Sequence, residues 1–579
     1  MLLTLCGAIA IILLKALVDG LKMEENFSTM GNDDIMRLVM VRDWIAGQSW
    51  FDTTQYRLVP PDGVLMHWSR YIDAGIAAVI VPFSWFLPMQ TAEMIGVTVW
   101  PTLIFVITIT LIALGTKRLF GVAAACFAVL VTVFWPLLAD LHSSAGNLDH
   151  HNVQLLMMVI LVYAAVWPGR SIAAGIVGGL AAAFALSIGL ESLLFIVAVG
   201  VLIFGRCVFD PRAETRTLLV AFCAALALGA LVFWLGQTAP ARRLVPVCDQ
   251  LGTPILSVIA IAVIAALAPL SRRNRFSGWM PHLAATAVLT AIGFAIAWPL
   301  LGPCIQGPYG NLPPDVQELI KTRITEAKPF LLYAQSQRGA ALTFMLPVVA
   351  ALIAGGVLWN ARRGSGEPQN PILGQLCLLG LFGFGLIFLQ MRTVILVASV
   401  VPAIGGASLA VLLDRYLKTR DIAQAAKHFL LAIVIISPQI ILNPLWPYIK
   451  GPRDDAESAG ANCRNYDTLL ALNAVPPGVI LNSTNMGAPV LWATDHSTLA
   501  APYHRSAAAF SNGSLGFELE ETDFSELARN SGATHVLLCA DNVYRSTFLT
   551  GLASGEVSAD WLDPVPLGAS DLRLFAVQR

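Results

Sequence analysis

Apolar positions along this chain fall in long unbroken blocks, not in the stripes of an amphipathic helix or the alternation of a half-buried strand. Blocks near the ~20 residues needed to cross a bilayer as a helix recur at 95–115, 119–138, 153–168, 171–188, 190–206, 217–236, 254–270, 281–301, 339–359, 371–389, 393–413 and 428–448. The first block, Leu2 to Leu14, is short for a span and is followed by Lys15 and Asp19, which points to a start upstream of Met1. No small-residue cleavage site marks it as a signal peptide. It reads as an uncleaved first helix, making thirteen spans.

The run "RYIDAGIAAVIVPFSWFLP" at 70–88 is ambiguous, because it is short, carries Asp73 and is broken by Pro82. Basic residues decide it, since they collect in cytoplasmic loops. Lys117-Arg118, Arg170, Arg206 with Arg212 and Arg216, Arg272-Arg273, Arg362-Arg363, and Arg415 with Lys418 and Arg420 share one side only if 71–88 does not cross. That run is therefore expected to lie on the outer surface as an interfacial or re-entrant helix. The fold class is a mainly α-helical polytopic membrane protein with about thirteen transmembrane helices. Residues 1–450 form the transmembrane domain, with outer loops at 23–94, 139–152, 237–253 and 302–338. From 451 to 579 the pattern changes to short stretches such as "GVILNST" and "THVLLCA" bounded by Gly, Pro and Asn. This is the pattern of a soluble α/β domain, placed on the outer side with the N-terminus inside.

Composition agrees: of 579 residues 56% are hydrophobic and 13% charged, against about 25% charged in a soluble domain. The mean hydropathy is +0.69. A formal net charge of -1 excludes the basic balance of a nucleic-acid partner. The nine cysteines form no CxxC pair, and most lie in apolar runs as small hydrophobes. Cys248 and Cys304 instead lie in outer loops, where an oxidising compartment allows a disulfide between them.

Four polar clusters share the outer face. "GNDDIMRLVMVRDW" carries Asp33 and Asp34, "LDHHN" carries Asp149 and His151, "KTRITEAKPF" carries Thr325 and Glu326, and "LQMRTVIL" places Arg392 between apolar runs. Asp33 and Asp34 equally suit the cap of a surface helix, Asp149 the cap of the next span, and Arg392 a snorkelling arginine. Together they favour a divalent-cation site, with Mn²⁺ or Mg²⁺ matched to carboxylate and imidazole donors, beside an arginine suited to phosphate. A lipid-phosphate substrate fits that combination.

The arrangement resembles the catalytic subunit of oligosaccharyltransferases, in the GT-C class of integral membrane glycosyltransferases. "NDDIMRLVMVRDWIAGQ" with "PPDGVLMHWSRYID" resembles that family's first outer loop, "SAGNLDHHN" its DxD-like second motif, and "RITEAKP" its fifth-loop glutamate motif. The resemblance implies that Asp33 or Asp34, Asp149 and His151 bind the metal. It implies that Glu326, with Asp33 or Asp34, acts in catalysis on the acceptor, and that Arg392 holds the lipid-linked phosphate. His142, His150, Asn152, Glu191 (in "SIGLESLLF"), Thr325, His504 and Arg505 are then candidates for the cavity lining.

Two features depart from the family. The second motif ends in His151 instead of a carboxylate, and the "WWDYG" signature that reads an Asn-x-Ser/Thr acceptor is replaced by "PVLWATDHSTLAAPYHRS". Transfer to protein asparagine is thus not implied, and the acceptor is left as a glycan, a lipid or a protein. The expected reaction moves a sugar or oligosaccharide from a polyprenyl-phosphate- or diphosphate-linked donor, at the periplasmic face of a bacterial inner membrane. A transporter or flippase of a lipid-linked substrate is the alternative. It calls for charges at mid-membrane depth and broken-helix repeats, and the sequence shows neither.

Overall fold

The computed structural model describes residues 1–25, 30–169, 171–210, 212–271, 278–307, 309–310, 312–324, 327–364, 366–451, 462–568 and 571–578. Every one of the thirteen apolar blocks is helical. In chain order the helices are α1 (Leu2–Glu25), α2 (Asn32–Ile45), α3 (Arg70–Ser84), α4 (Met89–Phe120), α5 (Val122–Phe134), α6 (His151–Val166), α7 (Ser171–Ile188), α8 (Leu193–Phe209), α9 (Ala213–Gln237), α10 (Thr253–Ser271) and α11 (Trp279–Leu301). There follow α12 (Pro314–Arg323), α13 (Phe330–Ser336), α14 (Arg338–Ala361), α15 (Gln369–Ile387), α16 (Val394–Ala398), α17 (Val401–Thr419), α18 (Ile422–Ile436) and α19 (Gln439–Ile449). Among the described residues eight helices are long and apolar enough to cross a membrane; α5, α6 and α8 are shorter, and two further spans are bent pairs. The Met391–Ala398 and Val401–Thr419 segments meet at 52°, and α18 and α19 at 70°. Pro402 and Pro438 stand at these breaks, where a missing N–H ends the preceding ladder.

Lys15 and Asp19 do not end the first helix. They pair with each other at one-turn spacing (3.0 Å), and Lys15 also reaches Asp140 at 3.3 Å, so α1 carries 21 residues apolar enough to span. Helices α7 and α9 pack closely. A Cβ on Gly175 or Gly179 would stand 2.7 Å from Leu218 O or 2.5 Å from Phe222 O, the small-xxx-small contact that lets helices approach in lipid.

The run at 70–88 forms α3, which packs on α4 and is not among the candidate spans. Its polar residues point inward: Arg70 and Asp73 are fully buried. Arg70 donates to Asp73 Oδ2 (3.0 Å), Gln48 Oε1 (2.9 Å) and Met40 O (3.2 Å), so this pair locks the first outer loop to the body.

The C-terminal residues build a five-stranded sheet. With β1 (Thr54–Gln55) and β2 (Val64–Leu65) as a small hairpin in the first loop, the sheet contains β3 (Val479–Asn482), β4 (Ser497–Thr498), β5 (His535–Cys539), β6 (Leu562–Val565) and β7 (Leu572–Val577), in the order β4-β3-β5-β7-β6. The β4-β3-β5 part is parallel and β7 runs antiparallel to both neighbours. Alternate strand residues enter separate cores: Leu481, Val536 and Leu538 on one face, Ile480 and Leu537 on the other. Both faces are thus covered, as a parallel sheet requires.

This region is seated on the loop between α1 and α4. Ile35 and Leu38 of α2, Trp68, Ile72 and Ile76 around α3, and Leu491, Trp492 and Tyr503 share one core. Arg57 donates to Thr494 O and Leu491 O, each at 2.7 Å, and Thr498 N donates to Arg57 O at 2.8 Å.

Candidate functional site

Helix α2 starts with two aspartates whose side chains diverge. Carboxylates favour a helix N-terminus because the first amides point outward unpaired. Asp34 is buried. Its Oδ2 accepts the Gly31 N–H (3.2 Å) while Oδ1 accepts the backbone N–H groups of Leu148 (2.7 Å) and Asp149 (2.8 Å). Asp34 therefore fastens the loop before α6 to the start of α2, and both its oxygens are occupied. Asp33 lies exposed on the same turn.

The second loop ends at the start of α6. Asp149 Oδ1 accepts from its neighbour's backbone, His150 N, at 2.8 Å, and stands 2.6 Å from His150 Nδ1. Its other oxygen, Oδ2, lies 3.2 Å from His151 Nε2. Behind it the fully buried Arg37 approaches Asp149 to 3.6 Å, pairs with Asp73 at 3.1 Å and stacks 4.4 Å from the centre of the Trp68 ring. His150 reaches on to Glu191 Oε2 (3.5 Å), and Gln154 Nε2 donates to that same oxygen (3.0 Å). Arg392 lies 3.7 Å from Glu191 Oε1 and donates to the Tyr309 hydroxyl at 3.3 Å. Asp149, His150, Glu191 and Arg392, drawn from three separate segments, thus form one chain of alternating charge.

Gly189 makes room for it. A Cβ there would lie 2.4 Å from Glu191 Oε2, 2.6 Å from Gln154 Nε2 and 2.7 Å from His150 Nε2. Arg392 is held in the turn Met391–Thr393, pinned by Met391 N donating to Lys328 O at 2.8 Å. The break between α15 and α16 is what allows an arginine to stand there between two apolar runs.

Burial would raise the Asp149 carboxyl, but His150, His151 and Arg37 outweigh it and hold the group well below its ordinary range. Glu191 is likewise low, because His150 and Arg392 overcome its burial. Burial alone would depress His150; Asp149 and Glu191 lift it to about 10, so it stands as a cation between them. Asp34 behaves oppositely: burial, then the Asp149 charge, push it up to about 7. Burial and His151 lower His142 to about 3, and its ring lies 5.5 Å from that of His151.

The sequence-predicted residues are thereby sorted. Asp149, His150, His151, His142, Glu191 and Arg392 come together. Asp34 is drawn into backbone hydrogen bonds. Asn152, expected in the lining, is buried and donates back to Asn147 O (3.1 Å), closing its own loop. Thr325 and Glu326 lie outside the described residues.

His504 and Arg505 meet Asp249 of the 237–253 loop. Arg505 forks onto both carboxylate oxygens at 2.7 Å and His504 Nε2 stands 2.9 Å from Oδ2. Cys248 and Cys304 are joined as a disulfide. A second disulfide, Cys463–Cys539, was hidden by the apolar strand around Cys539. Sequence reasoning also passed over Arg37, His67, Asp249, Tyr309 and Tyr503. For Arg37 a signal existed, since an arginine amid "DDIMRLVM" lies on the apolar side of α2.

Asp149 Oδ2 and His151 Nε2 fit a divalent cation. Adjacent donors around an octahedral ion with bonds of ~2.1 Å stand about 3 Å apart, which matches their 3.2 Å separation. Asp33 lies exposed at the N-terminal end of α2. Its charge, with those of Asp149 and Asp34, acts on the buried Tyr503 hydroxyl, which donates to Asn32 O at 2.9 Å.

No protein-family model matches the sequence, and neither does any curated protein. Solved structures do. The chain is similar to the archaeal oligosaccharyltransferase AglB from Archaeoglobus fulgidus in complex with an inhibitory peptide and a dolichol-phosphate, with a TM-score of 0.66 at 16% identity over 92% of this chain and 69% of that one. It is similar to the A. fulgidus oligosaccharyltransferase in complex with Zn and sulfate, with a TM-score of 0.61 at 16% identity over 91% and 68%. At such identity the likeness is one of fold: a polytopic helical body carrying a sheet-containing C-terminal region.

Proposed function

We propose that the protein is a membrane glycosyltransferase that moves a sugar or oligosaccharide from a polyprenyl-phosphate- or diphosphate-linked donor to an acceptor. The site would face the periplasm of a bacterial inner membrane, with the N-terminus cytoplasmic and the C-terminal domain, 451–579, outside. The observation that carries this reading is the chain Asp149–His150–Glu191–Arg392. It sets the Asp149–His151 pair, which would hold a cation, in line with an arginine whose guanidinium suits a phosphate. The fold shared with AglB, a protein captured with dolichol-phosphate, supports a lipid-linked donor. The two disulfides, Cys248–Cys304 and Cys463–Cys539, support an oxidising compartment.

Asp149 and His151, with Asp33, would hold Mn²⁺ or Mg²⁺. Such an ion supplies positive charge to the departing phosphate oxygen. Arg392 binds the donor phosphate through its planar fork, and Glu191 keeps Arg392 aimed until the phosphate replaces it. The acceptor heteroatom attacks the anomeric carbon as the bond from that carbon to the phosphate oxygen breaks. The electron pair leaves on the phosphate, beside Arg392. Glu326 takes the acceptor proton or fixes the acceptor group. His150, charged between Asp149 and Glu191, keeps both carboxylates ionised and in place.

The test uses purified protein in detergent with a panel of fluorescent polyprenyl-linked sugars. Release or transfer of sugar by wild type, with loss at equal donor in Arg392→Ala, supports the reading. No turnover of any donor, with specific binding retained, would move the assignment to a carrier of lipid-linked substrates.

A further inference from the structure

A second cluster lies apart from this site, where the first loop, the 237–253 loop and the C-terminal region meet. His67 follows β2, Asp249 stands beside the disulfide cysteine Cys248, and His504 precedes Arg505. One donor atom from each of His67, Asp249 and His504 lies within 4.8 Å of the other two. His504 Nε2 and Asp249 Oδ2 are 2.9 Å apart, and the two imidazole rings are centred 4.4 Å from each other. We propose that His67, Asp249 and His504 form a second metal site, which takes zinc and clamps the C-terminal region onto the outer loops.

Two imidazoles and one carboxylate are a zinc donor set. Arg505 donates through Nε to Asp249 Oδ2 and through a terminal nitrogen to Oδ1. A carboxylate has about four lone-pair positions, so this fork orients Asp249 and leaves room on it, as an outer partner of a metal ligand does. Trp68 and Tyr503, 5.4 Å apart edge to face, form an apolar wall beside the two histidines.

The placement gives the clamp a purpose. Tyr503, next to His504, donates to Asn32 O beside Asp33. Tyr309, whose ring lies 5.2 Å from that of His504, accepts from Arg392. Fixing His504 thus fixes two contacts that reach the candidate catalytic residues. The inference does not depend on the transferase reading, because metal binding is measured without donor or acceptor.

Full-length protein in detergent is stripped with chelator and re-equilibrated with zinc alone, and bound zinc and Tm are measured for wild type, His67→Ala, His504→Ala and Asp149→Ala. The expected result is one equivalent of zinc per chain lost in each histidine variant and kept in Asp149→Ala, with a zinc-dependent rise in Tm lost alongside it. In chelator, wild type and His67→Ala should melt together; if His67→Ala is unfolded there, His67→Gln replaces it. No zinc retained by wild type, zinc unchanged in either histidine variant, or zinc lost only in Asp149→Ala would overturn the proposal.

Discussion

Asp34 Oδ1 accepts the backbone N–H of Asp149 at 2.8 Å, so the first acidic motif holds the second by its backbone. Removing that acceptor leaves the Leu148 and Asp149 amides buried and unpaired, at about 1–3 kcal/mol for each. Asp34→Ala should therefore lower Tm as well as turnover. Asp34→Asn, which keeps an oxygen for those amides, should be milder in Tm. Asp33→Ala should leave Tm within error of wild type and weaken activation in a Mn²⁺ titration. Equal loss of stability in Asp33→Ala and Asp34→Ala would contradict the division of roles.

Arg37 and Asp73 are both fully buried at 3.1 Å. Truncating one member of such a pair typically costs about 3–5 kcal/mol, because the partner charge is left uncompensated; here Arg70 remains on Asp73, which places the cost at the lower end. Arg37→Ala should show it as reduced Tm and increased protease sensitivity of the first outer loop. A Tm equal to wild type would show the pair to be dispensable.

Gly189→Ala tests the shape of the site. The added Cβ would push on the ends of Glu191, Gln154 and His150, which can swing aside, so stability should change little. Displacing aligned reacting groups by about 1 Å costs up to ~100-fold in rate. The expected result is a fall of roughly tenfold or more in kcat/KM with Tm nearly unchanged.

Arg392→Ala should raise KM for the donor by about 10–100-fold, since a charge-assisted pair to phosphate is lost. Arg392→Lys should recover part of it, keeping the charge without the fork. The readout is initial rate against donor concentration.

The disulfides make a count. Of nine cysteines, Cys6, Cys126, Cys207, Cys223 and Cys377 stand outside the two disulfides, so thiol titration of the denatured, unreduced protein should give five. Opening Cys248–Cys304, which are 56 residues apart in sequence, should cost about 4 kcal/mol on the loop-entropy scale. Nine thiols in protein exported normally would contradict the assignment of these loops to an oxidising side.

The spans were legible because lipid offers no partner for an exposed amide, which forces long apolar helices. Charge sorting across the loops kept α3 out of the count of spans, and α3 is not among the helices long and apolar enough to cross. The pairing of Asp149 with His151 was legible from their spacing at the start of a helix. What was not legible depends on direction and distance. Adjacent aspartates on α2 diverge by the helix rotation, so Asp34 turns inward and Asp33 outward. His67, Asp249 and His504 are brought together only by the docking of the C-terminal region, and no local pattern announces that. Lys15 and Asp19 misled for a simpler reason: a charge pair one turn apart satisfies itself and need not end a helix.

The central claim is that Asp149 and His151 hold a divalent cation at a site for a lipid-linked sugar. It is tested most directly by turnover of a fluorescent polyprenyl-linked sugar, with Mn²⁺ or Mg²⁺ titrated into chelator-stripped wild type, Asp149→Ala and Glu326→Ala. The account predicts metal-dependent turnover in wild type, none in Asp149→Ala at any metal concentration, and in Glu326→Ala a loss of transfer to acceptor. Turnover in Asp149→Ala with the metal dependence of wild type would contradict it.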